Sequence, residues 1–340
     1  MQVIGIDIGF GFTKATNGKE TMTFKSVYGD AAEIQFKENL LDRARREDNL
    51  HIEVDGNAHF VGDLAERQST VRYFTLDQNQ LVGNFAKILC LAAMSRMVEP
   101  NDPVKLITGL PIKFFKGHKD QLAQLLTGRH SIATTSPEGE RVEMVINVVQ
   151  VKVIPQPFGS MFNLMLNDAG EGGDRRFLQE KVGVIDIGFR TADYTIANRT
   201  KYLERGSRTT DSGISQAFAI LANKLQESSG VSIELYRLFE AVDKGSIKIR
   251  GKTYDLAKSK ERVFNQLATD IANEVNRLWA DEWDIDSIVI SGGGGAVLAP
   301  FLKPQLEGNV LALDPAADAR LNNVRGYFKY ANFLWSKGAK

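Results

Sequence analysis

The apolar positions along this chain switch between two periods, and the switches mark its elements. Residues 3–8 form a β-branched run that reads as a buried strand. A second strand follows over 13–16, Asn17-Gly18 makes a turn, and residues 21–24 give a third strand, so strand feeds strand and no helix intervenes. Residues 26–73 are more polar, and within them 50–61 alternate around Asp55-Gly56 as a hairpin does, which reads as a small insertion. Helical spacing takes over at 80–98, a buried strand returns at 104–110, and 119–126 is helical again. Residues 145–154 make an apolar run ended by Pro155, and 159–166 have the pattern of a helix that bridges two lobes.

The second half repeats this opening. A strand begins near Lys181, its partner covers 193–197, and a helix over 212–225 takes Asp211 or Ser212 as N-cap. Residues 247–250 and 253–256 flank Gly251-Lys252 as a second inserted hairpin. Over 261–279, Val263, Phe264, Leu267, Ile271, Val275 and Leu278 keep one helical face apolar. A strand at 286–290 then runs into Ser291 and the glycines 292–295, ahead of a helix over about 296–302.

The repeat is visible in the letters themselves. Ile4-Gly5-Ile6-Asp7-Ile8-Gly9-Phe10-Gly11-Phe12-Thr13-Lys14 returns as Gly183-Val184-Ile185-Asp186-Ile187-Gly188-Phe189-Arg190-Thr191-Ala192-Asp193. Each copy is a buried strand ending in a carboxylate, a glycine turn and a hydroxyl residue, which aims polar groups at one spot. Two copies imply two like-folded lobes that face a shared ligand.

Composition adds limits. A length of 340 residues fits two domains. Lys plus Arg and Asp plus Glu both total 42, so no overall field draws the chain to nucleic acid or anionic membrane. Cys90 is the only cysteine, which excludes an intrachain disulfide and fits a core thiol in a reducing cytoplasm. The four histidines lack metal-ligand spacing. No stretch approaches the roughly 20 apolar residues of a membrane span. A cytoplasmic protein is expected.

Magnesium prefers oxygen ligands and keeps much of its water, so carboxylates near a phosphate chain serve it well. Asp7 and Asp186 suit that work; a carboxylate that merely caps a turn is the plain alternative. Gly9, Gly11 and Gly188 let backbone N–H groups approach phosphate oxygens, together with the loop residues Phe10, Phe12, Phe189 and Arg190. Thr13 and Thr191 add hydroxyls, and Lys14 either sets a cation on a phosphate or is an exposed strand lysine. Gly292, Gly293 and Gly294 open a helix whose N–H groups face a ligand. Asp211 and Gly213 read as a contact to ribose or base, or as a simple helix cap. Hydrolysis also needs a group to hold water in line with phosphorus, and Gln156, at the lobe crossing, is the candidate.

This order of segments resembles the actin and sugar-kinase ATPase superfamily. Residues 7–14 are similar to its first phosphate motif, 155–166 to its first connecting helix, 186–191 to its second phosphate motif, 288–295 to its adenosine motif and 323–327 to its second connecting segment. Thr108-Gly109-Leu110-Pro111, Val61-Gly62-Asp63 and residues 322–327 resemble the ParM plasmid-segregation branch of bacterial and archaeal actin-like proteins. The resemblance implies an α/β, two-lobed fold of duplicated ribonuclease H-like domains, with mixed five-stranded sheets flanked by helices and a small insertion in each lobe. The first lobe would hold 1–160 and 318–340 with its insertion at about 26–75, the second 161–317 with its insertion at about 206–261, and a nucleotide cleft would lie between them. It further implies Mg²⁺-ATP hydrolysis, with GTP left open, self-assembly into filaments, and a ParR-like DNA-binding adaptor joining the filament to plasmid DNA, without direct DNA or membrane binding. Phe189-Arg190 departs from the glycine or threonine of many relatives, and Gln156 resembles the glutamine of eukaryotic actin.

Two other functions compete. A small-molecule kinase of the same superfamily needs a base beside an acceptor hydroxyl, and no persuasive aspartate stands between the first connecting helix and the second hairpin. A non-hydrolysing scaffold would use Asp7, Asp186 and Gln156 for binding alone.

Overall fold

The computed structural model describes residues 1–31, 50–136, 139–199, 201–311 and 318–336. They form two compact units, Met1–Gly173 with Asn323–Lys340, and Asp174–Asn322. The chain passes from one to the other at 173/174 and 322/323, later than the sequence boundaries of 160/161 and 317/318; residues 312–317 lie outside the described set, as do 32–49 of the first insertion.

The first unit opens with β1 (Gln2–Ile8), β2 (Phe12–Thr16), β3 (Thr21–Lys25) and β4 (Tyr28–Asp30), then β5 (Leu50–Val54) and β6 (Asn57–Val61). Next come α1 (Asp63–Gln68), β7 (Arg72–Tyr73), α2 (Asn84–Met97), β8 (Pro103–Leu110) and α3 (Ile112–Leu126). β9 (Gly128–Thr135), β10 (Arg141–Pro155) and α4 (Pro157–Met165) complete this stretch. The second unit holds β11 (Lys181–Ile187), β12 (Ala192–Asn198), β13 (Lys201–Thr210), α5 (Ser215–Ser229) and α6 (Phe239–Lys244). β14 (Ser246–Ile249), β15 (Lys252–Asp255), α7 (Ala257–Leu278), β16 (Ser287–Ser291) and α8 (Gly292–Leu302) follow, and α9 (Asn322–Ser336) returns the chain to the first unit.

Strand order proves the duplication. In the first unit β3-β2-β1-β8 run side by side, antiparallel except for the parallel β1–β8 pair. In the second, β13-β12-β11-β16 repeat that order and those directions. The fifth position differs between the units. β10 fills it in the first, parallel to β8, whereas in the second, among the described residues, Val310 bridges Ile288. Among the described residues the expectation of two five-stranded sheets gives way to a ten-stranded and a four-stranded sheet, with β14 and β15 as a separate pair.

The length of β10 explains the larger sheet. Its second half pairs with β8 and its first half with β9, with a register shift between Val148 and Gln150. β9 then pairs with β5, so the first insertion continues the main sheet where the sequence reads a separate hairpin. The second insertion keeps to its expected form, a two-stranded ladder of β14 and β15.

Glycines set how the helices of the first unit pack. A Cβ on Gly5 would lie 2.8 Å from the carbonyl oxygen of Val324, so α9 rests directly on β1. One on Gly326 would lie 1.7 Å from the carbonyl oxygen of Gly159, so α4 and α9 cross backbone to backbone. Asn323 fixes the crossing by accepting from both the N–H and the hydroxyl of Ser160, at 3.0 and 2.7 Å. This contact keeps α4 in the first unit and moves the boundary beyond residue 160. In the second unit, Ile185, Ile187 and Tyr194 from the sheet and Phe218, Leu221, Phe264 and Ile271 from α5 and α7 form the core.

Candidate functional site

In the first unit the β1–β2 turn is held at several points. Gly9 N–H donates to the Phe12 carbonyl at 3.2 Å, and a Cβ on Gly9 would stand 2.8 Å from that oxygen. Ser26 donates from Oγ to the Gly9 carbonyl at 2.5 Å, and its N–H donates to the Gly11 carbonyl at 3.0 Å. The Thr13 hydroxyl is fully buried and bonds to Ser26 Oγ at 2.9 Å. Thr13 thus locks the turn from beneath. Ser26 escaped the sequence reading; its only signal is a lone hydroxyl just after the third strand.

Asp7 and Lys14 are register partners across β1 and β2, so their side chains share a face. Lys14 Nζ donates to Asp7 Oδ2 at 2.9 Å. Gln156 Nε2 reaches the other oxygen, Asp7 Oδ1, at 3.4 Å. Gln156 stands at the start of α4, where its N–H donates to the Leu110 carbonyl at 2.9 Å and its carbonyl accepts from Gly159. Tyr327 of α9 packs against Gly109, where a Cβ would meet its hydroxyl at 2.0 Å. The three residues expected to serve metal, phosphate and water therefore form one connected group within the first unit. Phe10 is buried, and Gly11 and Phe12 complete the turn.

In the second unit the Asp186 hairpin repeats this turn, with Gly188 N–H donating to the Thr191 carbonyl at 2.8 Å. The position that matches Lys14 is Asp193, directly opposite Asp186. Asp193 is buried and accepts from Thr209 and, at 3.5 Å, from the Thr191 hydroxyl. Two carboxylates face each other here where the first unit has an acid and a base. Like charges opposite each other in a ladder destabilise it, and a hard cation relieves that repulsion. Sequence reading quoted Asp193 as the end of the second repeat and gave it no role.

The helix start at α5 corrects another expectation. Neither Asp211 nor Ser212 caps it, for α5 begins at Ser215 and its N-cap residue is Ile214. The N–H groups of Gly213, Ile214 and Ser215 instead donate to the carbonyls of Arg190, Gly188 and Phe189. The turn satisfies these orphan donors, so no side-chain cap is required. Gly213 permits the close approach, since its Cβ would lie 2.3 Å from the Arg190 carbonyl carbon. Phe189 directs its ring to Phe218 and Phe239, with centroids 5.5 and 5.2 Å away, and anchors the turn in the core. Arg190 pairs with Asp211 at 3.2 Å, so a residue expected on phosphate and one expected on ribose or base neutralise each other.

The glycine run is the first turn of α8 itself, where the sequence suggests a loop ahead of the helix. A Cβ on Gly292 would stand 2.4 Å from Asp186 Oδ1, and Gly292 has a φ of +82°. A Cβ on Gly294 would stand 2.7 Å from the Ile187 side chain. Among the described residues a Cβ on Gly293 would meet only the Arg320 side chain, at 3.9 Å. The first turn of α8 thus lies on the carboxylate strand, and one glycine of the run keeps room beside it.

Each unit by itself offers groups that suit part of a nucleotide and its metal ion: in the first, the buried Asp7 carboxylate and the Lys14 cation; in the second, the buried carboxylates of Asp186 and Asp193 and the open side of Gly293. No group of three or more metal-ligating side chains occurs among the described residues. Cys90 lies in the core, where burial pushes its thiol up, away from thiolate chemistry. No helix of the described residues is long and apolar enough to cross a membrane.

Residues 5–159 match the family model for the N-terminal domain of actin-like proteins, and residues 184–304 match that for the C-terminal domain of the archaeal MreB-like actin homologue. Among solved structures, a ParM in a 15-stranded filament from Clostridium botulinum is 24% identical over 97% of this chain and 98% of its own, with a TM-score of 0.82. A non-polymerisable quadruple mutant of pCBH ParM is 23% identical over 99% of both chains, with a TM-score of 0.79. An archaeal actin homologue in complex with ADP is 20% identical over 97% of this chain and 99% of its own, with a TM-score of 0.76. At these identities the likeness establishes the fold. No curated protein matches the chain.

Proposed function

We propose that this chain, which belongs to the actin-like proteins through both of its domain families, binds and hydrolyses Mg²⁺-ATP and assembles into filaments. The observation that carries the reading is the Lys14–Asp7–Gln156 group, with Asp7 engaged at 2.9 Å by Lys14 and at 3.4 Å by Gln156. Lys14 would hold phosphate oxygens, and the backbone N–H groups of 10–12 and 189–190 would line them. Asp7 and Asp186, with Asp193 beside the latter, would order the water around the ion. Gln156, carried on the rigid start of α4, would orient the attacking water through its carboxamide. Bound Mg²⁺ supplies neutralisation of the charge that develops on the phosphate oxygens.

Gly293 beside Arg320 is the proposed surface for adenosine. ATP is favoured because an archaeal relative of the same fold was solved with ADP, and GTP stays open. Self-association is supported by the ParM filament of closely similar fold. The likeness to ParM extends the proposal to plasmid segregation in the cytoplasm, through a ParR-like DNA-binding adaptor. Nucleotide binding by isothermal calorimetry, followed by pelleting of the protein in Mg²⁺-ATP and in ADP, tests the reading. Binding with ATP-dependent pelleting supports it; a chain that binds neither nucleotide refutes it. A small DNA-binding protein encoded beside this chain's gene would support the plasmid role.

A further inference from the structure

The turn between β11 and β12 is tied down along its backbone. Phe189 pins it to the core through Phe218 and Phe239. The carbonyls of Gly188, Phe189 and Arg190 accept from Ile214, Ser215 and Gly213 at the start of α5. The chain that leaves β13 is fixed as well, because Gln216 of α5 donates from Nε2 to the Asp211 carbonyl at 3.0 Å. Arg190 and Asp211 pair between these two fixed stretches, at 3.2 Å. Their side chains are far less confined than their backbones, with 29% of the Arg190 side chain and 67% of the Asp211 side chain open to solvent. The pair therefore parts by rotation of side chains, with the turn left in place. Solvent keeps that step cheap, since an exposed ion pair of this kind shifts an equilibrium by at most about fivefold.

Arg190 supplies the positive charge of residues 188–191. A phosphate chain lying on the N–H groups of this turn comes within reach of its guanidinium. Phosphate carries more charge and more acceptor oxygens than a carboxylate, and a guanidinium can engage two of them at once, so phosphate is the stronger partner. Asp211 holds the same cation beforehand.

We propose that Asp211 is a latch on Arg190. It draws the guanidinium to itself, and the phosphates of an incoming nucleotide take the guanidinium over and release the carboxylate. Asp211 is thus a positioning residue that sets affinity for the phosphate chain through Arg190. The proposal rests on the nucleotide reading above and gives Asp211 a definite sign. A carboxylate bonded to ribose strengthens binding, whereas a latch weakens it.

An aspartate near phosphates also repels them through space, and that repulsion acts whether or not Arg190 is present. A latch acts only where there is a cation to hold. Removing each side chain alone and then both together separates the two effects. Calorimetric titration with Mg²⁺-ATP, at concentrations where sedimentation shows the chain to be monomeric, makes this measurement, with urea unfolding to establish that each variant is folded. Asp211→Asn should bind ATP roughly three- to fivefold more tightly than the unaltered chain. Asp211→Glu, which keeps the charge, should bind as the unaltered chain does. Arg190→Gln should bind about tenfold more weakly, and adding Asp211→Asn to it should leave the affinity within about twofold. If Asp211→Asn binds ATP equally well or more weakly, the latch is wrong and the nucleotide reading stands. A three- to fivefold gain that persists in the Arg190→Gln background shows plain repulsion and also overturns the latch. An unaltered chain that binds neither ATP nor ADP overturns the nucleotide reading and the latch with it.

Discussion

Lys14 and Asp7 face each other across the first two strands, and the Lys14 ammonium donates to Asp7 Oδ2 at 2.9 Å. The pair is largely buried, so removing the cation leaves a carboxylate with a weaker set of partners. Lys14→Met is expected to lower stability by about 1–3 kcal/mol in urea unfolding. It should also weaken nucleotide binding about tenfold, read by calorimetry, because a charge-assisted phosphate contact is lost.

Ser26 closes the first turn through the Gly9 carbonyl and supports the buried Thr13 hydroxyl. In Ser26→Ala both bonds disappear, and Thr13 keeps a buried hydroxyl without that partner. A loss of about 1–3 kcal/mol is expected, together with weaker nucleotide binding as the turn loosens. Stability equal to that of the unaltered protein would show that the clamp contributes nothing.

The glycine run separates packing from ligand contact. Gly292→Ala places a methyl group 2.4 Å from Asp186 Oδ1 at a φ of +82°, and should cost about 1–3 kcal/mol in strain. Gly293→Ala meets nothing closer than 3.9 Å, so unfolding should be unchanged while nucleotide affinity falls. Equal stability of the two variants would contradict this division.

How much of this was legible in the sequence follows the range of the forces involved. The first hairpin reads directly, because β-branched periodicity and Asn17-Gly18 are local signals, and its strands fall where they are expected. The two aspartate turns read for the same reason. The ten-stranded sheet does not, since it depends on β10 running through a register shift to serve two neighbours, and nothing local announces which strand β9 will pair with. The N-cap of α5 was misread because the capping oxygens come from the backbone of a turn more than twenty positions earlier. Asp193 took no role because its meaning lies in the ladder partner, Asp186, and in Thr209 across the next strand.

Lys181, buried on β11, donates to Glu282 and Asp284 in the connection from α7 to β16, and this clamp makes an acid-limb prediction. Lys181 holds the Glu282 carboxyl below its ordinary value of 4.5, against the opposing effect of burial and with help from Arg205. A carboxylate with a depressed folded value adds stability that is complete above its unfolded value and is lost as pH falls through the folded one. Glu282→Gln should therefore melt lower than the unaltered protein at pH 7, with the gap closing below pH 4.5. A gap that stays constant from pH 7 to pH 3 would contradict the pairing.

Gln156 is proposed to position water for a hydrolysis that is coupled to assembly. Phosphate release and light scattering, followed together in Mg²⁺-ATP for the unaltered chain and for Gln156→Ala, test it most directly. The unaltered chain should scatter as polymer forms and release phosphate with it. Gln156→Ala should bind nucleotide and assemble, yet release phosphate about 100-fold more slowly and persist as polymer. Equal phosphate release from the two proteins would contradict the account.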